Sequence, residues 1–345
     1  MKKAFLWTLR LFGITVAMFA GFIGYVSLTD YRPLPIESAE FEGPALPDSL
    51  KDTLSVLTWN IGYAGLSAHE DFFFDGGDGV RAHRDTVLSN LQAIQGFLSR
   101  SSDDFIFVQE IDLSSKRSYY IPQMDSLRHT LQDYGSSFAL NYHSRFVPQP
   151  VLNPMGRVKA GLASFGKYRP TSSQRFALAP DADWPVGLFM LDRCFLTWRF
   201  PLTEDKDLVL INVHLSAYDD GTVKQQQLDT LGAFLLSLQN EGHLVVAGGD
   251  WNMFPTGYQP KLPESSHLTP KGAPGDYPAP GWRWIHPGVT TNRWLDEPYT
   301  RGKTTENILD YFLISPGIDV IKIECIDLQF RHSDHQPVRL VFAWS

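Results

Sequence analysis

His243-Leu244-Val245-Val246-Ala247-Gly248-Gly249-Asp250-Trp251-Asn252 is the stretch on which the reading of this chain turns. Residues 243–247 read as a short buried strand, and the strand stops at a carboxylate. The pattern recurs. Residues 54–59 read as a strand ending at Asn60, 105–108 as one ending at Gln109-Glu110, and 208–213 as one ending at His214. Residues 308–314 carry Asp310 inside an apolar run, and 337–342 follow directly on His335. Between the strands lie amphipathic stretches. In residues 80–100, Val87, Leu91, Ile94 and Leu98 recur at helical spacing, and residues 223–238 form a second such helix. Short strands alternating with helices predict an α/β fold, a two-sheet sandwich with helices over its outer faces. Polar groups placed where rigid strands stop can converge at the open edge of such a sandwich.

Composition bounds the rest. The chain has 345 residues, 43% hydrophobic and 20% charged, which is the profile of a globular protein able to bury a large core. A net charge of −8 argues against a surface that grips nucleic acid all over, because phosphate binding relies on Lys and Arg. A local basic groove stays compatible with it, as does a site built of metal-binding carboxylates. Cys194 and Cys325 each fall in strand-like runs, and two free thiols is the simpler reading.

The amino terminus is of a different kind. Lys2, Lys3 and Arg10 precede eighteen uncharged residues, 11–28, close to the length that crosses a bilayer. The positive charges predict that the start stays inside and the remainder is exported. A cleaved signal peptide is the alternative. Residues 29–50, rich in Pro and acids, read as a tether with little regular structure. Residues 51–345 then form a single catalytic domain. Within it, 261–301 is dense in Gly, Pro and Trp and reads as a long insertion near the site. Trp282, Trp284 and Trp294 in that stretch suit either a bilayer interface or ordinary loop packing.

Each polar motif alone is weak, since Asn and Asp dominate turns for structural reasons. In order, however, they run Thr58-Trp59-Asn60, Gln109-Glu110, Asn212-Val213-His214, Gly249-Asp250-Trp251-Asn252, Leu309-Asp310-Tyr311 and Ser333-Asp334-His335. That order resembles the endonuclease/exonuclease/phosphatase superfamily, which includes pancreatic-type deoxyribonucleases, apurinic endonucleases, neutral sphingomyelinases and inositol-polyphosphate 5-phosphatases. The resemblance covers residues 54–344. It implies a four-layer α/β sandwich of two mixed, mainly antiparallel β-sheets flanked by helices. It also implies a phosphoester hydrolase using Mg²⁺, or Mn²⁺ in its place. Glu110, Asn60 and Asp334 would serve the metal. Asp250 and Asn252 would orient water and phosphate, Asp310 would pair with His335, and His214 would contact phosphate or act as a second acid/base group. Asn212 would support it. Either His335 or Asp250 would be the base.

The residue types suit that chemistry independently. Hard Mg²⁺ takes oxygen ligands, one or two of them carboxylates. A carboxylate inside an apolar strand, such as Asp310, is costly unless paired. The segment Tyr142-His143-Ser144-Arg145 looks like one that presents phosphate-binding groups in relatives, though an exposed loop suits it as well. Where several relatives read Leu-Ser-Lys/Arg-Tyr-Pro, this chain has Ser164-Phe165-Gly166-Lys167-Tyr168-Arg169-Pro170. The substrate would be a phosphoester of lipid, nucleotide or nucleic acid, with the membrane reached through the amino-terminal helix and no obligate protein partner. Three functions compete: a phospholipid or sphingolipid phosphodiesterase, an extracytoplasmic nuclease, and an inactive tethered binding module.

Overall fold

A computed structural model describes residues 2–217, 221–262 and 272–344. The helix α1 (Lys2–Leu28) opens the chain and is followed by two short strands, β1 (Ile36–Ser38) and β2 (Phe41–Glu42). Then come β3 (Thr53–Asn60), α2 (Arg84–Leu98), β4 (Phe105–Asp112) and α3 (Gln123–Thr130). Next are β5 (Gly135–Val147), β6 (Gly156–Gly166), β7 (Ser172–Ala177), β8 (Cys194–Pro201) and β9 (Asp207–His214). Helix α4 (Thr222–Asn240) leads to β10 (Leu244–Asp250). The chain ends through β11 (Arg283–Ile285), β12 (Asn292–Arg293), β13 (Glu306–Asn307), β14 (Asp310–Ile314), β15 (Ile318–Cys325) and β16 (Val338–Trp344).

The strands form two seven-stranded sheets. One runs β1-β7-β8-β9-β10-β14-β11 and the other β15-β16-β3-β4-β6-β5-β2, while β12 and β13 pair separately. Each large sheet is antiparallel except for one pair, β9–β10 in the first and β3–β4 in the second. Parallel neighbours need a crossover, and α4 and α2 supply them. The expected sandwich is therefore present.

Period-2 alternation sorts each strand's side chains between layers. In β9, Leu208 and Leu210 enter the core between the sheets, with Phe105, Phe107, Val246 and Leu340. Their neighbours Val209, Ile211 and Val213 face outward onto Leu228, Leu231, Leu235 and Leu238 of α4. On the other sheet, Ile106 and Val108 meet Val87, Leu91, Ile94 and Leu98 of α2. Strands covered on both faces read as continuous apolar runs, which is why the sequence signals them clearly.

Two expectations need correction. Residues 29–50 are not merely a tether. Ile36–Ser38 adds to β7 at one sheet's edge, and Phe41–Glu42 adds to β5 at the edge of the other. Nor is 261–301 one insertion loop: β11 extends the first sheet beside β14, and β12 pairs with β13. Residues 263–271 of that stretch lie outside the described residues. The sequence signal failed because edge strands of two or three residues carry almost no periodicity.

Candidate active site

All the polar strand ends gather at one end of the sandwich. Asn60, Glu110, His214 and Asp250 lie at the carboxy-terminal ends of the two parallel pairs. The antiparallel β14 starts beside them, with Asp310 in register with Asp250, and His335 lies just ahead of β16.

Alternation places Thr58 and Asn60 on the same inward face, and likewise Asn212 and His214. The deeper member of each pair is structural. Gln109 Nε2 donates to Asn212 Oδ1 at 2.7 Å and to Thr58 Oγ1 at 3.0 Å, and Asn212 Nδ2 donates to the Ala163 carbonyl at 2.9 Å. This buried bridge joins the sheets directly behind the site. Asn212 thus braces the two sheets behind the site, bonding Gln109 and Ala163.

Glu110 would point to the outer layer in a regular strand, since Gln109 points inward. A bulge between Val108 and Ile111, with Glu110 at φ 52°, turns it to the pocket instead. Asn252 also has a positive φ, 48°. Such strained backbone clusters at functional sites.

Asn60 crosses between the sheets, its Nδ2 donating to Glu110 Oε1 at 3.1 Å and to Asp250 Oδ2 at 3.0 Å. The Asn252 amide donates to Asp250 Oδ1 at 3.0 Å. His335 Nδ1 pairs with Asp310 Oδ2 at 2.8 Å, while its Nε2 lies 3.7 Å from both Asp250 Oδ2 and Asp334 Oδ2. Ser333 Oγ donates to the Asn60 carbonyl at 2.7 Å and Trp59 Nε1 to the His335 carbonyl at 2.9 Å, pinning this loop to β3.

Electrostatics separates the two histidines. Burial disfavours the His335 cation, but Asp310, Asp250 and Asp334 outweigh it and hold the imidazole well above its usual range. His214 goes the other way: burial, helped by Arg193, brings it to about 4, so it is neutral near pH 7. Its Nε2 lies 3.5 Å from Asp250 Oδ2 and 3.9 Å from Glu110 Oε1, and its buried Nδ1 has no hydrogen-bond partner among the described residues. Burial pushes Asp250 up, yet the two histidines and Asn60 hold it below its ordinary value. Burial lifts Asp334 to about 6, with His335 opposing and Glu110 adding to the rise.

The donor set fits a hard divalent cation. Glu110 and Asp334 offer carboxylate oxygens to it, while Asn60 turns its Nδ2 to Glu110 and its Oδ1 accepts the Gly62 amide at 3.0 Å, so Asn60 orients a ligand here. Asp250, Asp310 and His335 also present ligand atoms within 4.8 Å of one another. That trio suits a metal less well, because Asp310 occupies one imidazole nitrogen and the cationic ring repels a second positive charge.

Several pocket residues escaped the sequence reading. Asn292 Nδ2 lies 3.0 Å from His335 Nε2, and Thr291 Oγ1 accepts the Asp310 amide at 3.0 Å. Arg117 stacks over Tyr63 with its carbon 3.8 Å from the ring centroid and is paired with Asp112 at 2.9 Å. Arg293 is buried among the carbonyls of Ser67, Glu70, Trp294 and Glu297. Arg193 pairs with Asp181 at 3.1 Å, and its buried Nη1 has no hydrogen-bond partner among the described residues. All three arginines line the pocket. They come from loops and strand starts where an arginine looks like any solvated surface residue.

Other expectations fail. Tyr142 lines the pocket, but His143 packs on Tyr31 and Arg145 is exposed; the segment is part of β5, neither a phosphate loop nor an irregular one. Gly166 pairs with Phe105, the first residue of β4, so residues 164–170 lie at the end of the sheet remote from the site. Trp282 is buried, Trp284 packs on Trp251 and Tyr311, and Trp294 Nε1 bonds the Asp75 carbonyl. Trp284 and Trp294 are half-buried and Trp294 lines the pocket, so ordinary loop packing accounts for the contacts of all three. Cys194 and Cys325 are both free thiols.

Acids crowded around a paired histidine at a sandwich rim define a class of protein, the phosphoesterases that work with a divalent metal. The chain belongs to the Endonuclease/Exonuclease/phosphatase family, which matches residues 57–335. Solved structures agree in fold. An endonuclease/exonuclease/phosphatase from Beutenbergia cavernae DSM 12333 is 17% identical, with a TM-score of 0.56 over 86% of this chain and 72% of that one. ANGEL2, a 2',3'-cyclic phosphatase, is 16% identical, with a TM-score of 0.53 over 89% of this chain and 99% of its own. The human Nocturnin catalytic domain is 17% identical, with a TM-score of 0.51 over 89% and 98%. At such identities the likeness is one of fold. No curated protein matches the chain by sequence.

Proposed function

We propose that this protein is a membrane-anchored, extracytoplasmic Mg²⁺-dependent hydrolase of lipid phosphodiesters. The observation that carries the reading is a pocket whose acidic floor is walled by apolar side chains, among them Leu66, Phe72, Phe74, Met155, Leu191 and Leu295. Such walls suit the apolar part of an ester better than a polymer's charged backbone. The pocket arginines support the same choice. Arg117 and Arg193 are tied to buried acids and Arg293 to carbonyls, so they furnish fixed local charge, whereas nucleic-acid backbones are met by chains of solvent-facing cations. Helix α1 is long and apolar enough to cross a membrane, and the charges of Lys2, Lys3 and Arg10 favour a cytoplasmic start.

In this reading Glu110 and Asp334 would hold Mg²⁺, with Asn60 orienting Glu110 beside it, and the ion would supply charge to offset that on the phosphoryl oxygens. Asp250, ionised and fixed by Asn60 and the Asn252 amide, orients the attacking water and receives its proton as the bond from phosphorus to the leaving alcohol's oxygen breaks, and that oxygen takes a proton from solvent. Protonated His335, held by Asp310, donates through Nε2 to a phosphoryl oxygen. Arg193 Nη1 and neutral His214 supply further contacts to the phosphate. The order of these roles follows geometry: Asp250 faces both histidines, so water and phosphate meet between them.

The test is a substrate panel with Mg²⁺: sphingomyelin, phosphatidylcholine and phosphoinositides in vesicles, single-stranded and plasmid DNA, and bis-p-nitrophenyl phosphate. Lipid turnover that disappears in Glu110→Ala and His335→Ala is the expected result. DNA cleavage without lipid turnover would overturn the lipid assignment in favour of a nuclease. No hydrolysis of any ester would overturn the proposed catalytic role altogether.

A further inference from the structure

Every residue of α1 from Lys2 to Gly21 is exposed, and only then do Phe22, Ile23 and Val26 pack on the domain. The expected span of 11–28 therefore shifts toward the amino terminus: residues 4–21 cover about 27 Å at helical rise, close to the hydrocarbon thickness of a bilayer, with Arg10 in the amino-terminal half. With α1 in a membrane, the point where it meets the domain would mark the membrane's edge.

Two segments meet the helix there. Phe22 stacks on Phe189 and meets Phe146 edge-on, each at 6.1 Å between centroids. Trp184 Nε1 donates to Ser27 Oγ at 3.1 Å. Phe146 belongs to β5, whose hairpin with β6 continues to Val151 and Leu152, 84% and 99% exposed. Trp184 and Val186, 68% and 57% exposed, precede Phe189. A hairpin tip in water is normally polar. Here the tip is apolar and carries a basic collar: Arg145 and Arg157 are exposed on its strands, and Arg81 reaches Asn153 at its end. The apolar hairpin tip flanked by these arginines fits an anionic bilayer interface, with Asp183 as an acid beside Trp184, and tryptophan favours that depth. The same two segments face the pocket on their other side, through Tyr142, Met155, Met190 and Leu191.

We propose that the β5–β6 tip and residues 184–186 form a docking face that seats the pocket mouth on the bilayer crossed by α1. The occupant is an anionic lipid surface. The inference rests on the reading of α1 as membrane-embedded and deepens it, because it fixes which face of the domain meets the lipid. The pocket then opens where lipid headgroups lie, and a scissile ester can enter without leaving the interface.

Spin labels on the full chain test it. The protein carries Cys325→Ser and is reconstituted in vesicles of phosphatidylcholine with a minority of phosphatidylglycerol. Nitroxides are placed singly at Leu152→Cys, at Met18→Cys in α1, and at Asp205→Cys in the turn at the far end of the sandwich. The expected result is an oxygen-to-nickel accessibility ratio at Leu152→Cys several-fold above that at Asp205→Cys, approaching that at Met18→Cys. A label at 152 as aqueous as that at 205, with 18 in lipid, overturns the docking face and leaves the anchor standing. An aqueous label at 18 overturns both. A label at 152 shielded from oxygen and nickel alike means a protein covers the tip, which also overturns the inference.

Discussion

In three of the six sequence motifs one polar residue turns out to be scaffolding. Thr58 and Asn212 both bond Gln109 between the sheets, while Glu110 and His214 line the pocket and Asn60 bonds Glu110 and Asp250 at its edge. The motifs were legible because both halves are unusual: a polar residue inside an apolar run needs a partner, and these have partners. The Asp310–His335 pair was legible for the same reason. What stayed hidden was Glu110's aim, which depends on a bulge, and Arg193, whose surroundings come from distant segments. The pair makes a direct prediction. Asp310→Asn keeps the shape but removes the charge that stabilises the imidazolium, so kcat should fall by roughly 10²–10⁴-fold. Thermal melting alongside steady-state rates checks that the fold survives; a near-normal kcat would refute the pairing's role. A second residue makes a pH prediction. Burial raises Asp192 to about 7, with Asp30 adding and Arg175 opposing. An acid whose folded pKa is raised loses stability as pH climbs from its unfolded value near 4 to its folded value near 7. Asp192→Asn should therefore be more stable than wild type above pH 7, by up to about 4 kcal/mol, with the gain fading toward pH 4. Denaturant melts across that range measure it.

Elements position the site through two crossovers. The parallel pairs β3–β4 and β9–β10 aim four strand ends the same way, and β10 can lie close to β9 only because Gly249 lacks a side chain. A Cβ there would meet the Val213 carbonyl oxygen at 2.0 Å, at a φ of +153°. Gly249→Ala should push β10 from β9, cost about 2–4 kcal/mol and displace Asp250. Equal melting temperatures for the two proteins would contradict that. Strands buried on both faces were readable, and so were α2 and α4. The short edge strands were not, because β1 and β2 get their structure from the sheets they join. That dependence is mutual and can be measured. A chain beginning at residue 22 keeps the packed end of α1 and should melt like the full domain, whereas one beginning at residue 51 exposes both edges and should melt several degrees lower. If the two melt together, the edge strands contribute little.

Across the whole molecule, the apolar layers hold a rim of like charge that folding alone leaves strained. Glu110, Asp334 and Asp250 face one pocket, and the cation that relieves them should stabilise the native state. Saturating Mg²⁺ is expected to raise Tm by roughly 4 °C, EDTA to reverse it and Glu110→Gln to blunt it. A Tm indifferent to the cation would count against the ligand assignment. The chain's two ends of character, apolar helix and acidic enzyme, were legible from composition; how they join was not. Ile36 follows Leu28 by only eight residues, and from there the chain is sewn into one sheet and then the other. A domain hung on free chain would sample every height and tilt above its membrane. One stitched down this soon cannot, so with α1 in a bilayer the enzyme searches in two dimensions. Its rate would then follow the mole fraction of substrate within the surface. Spreading the same lipid among inert neighbours would slow it, and diluting the vesicles that carry it would not.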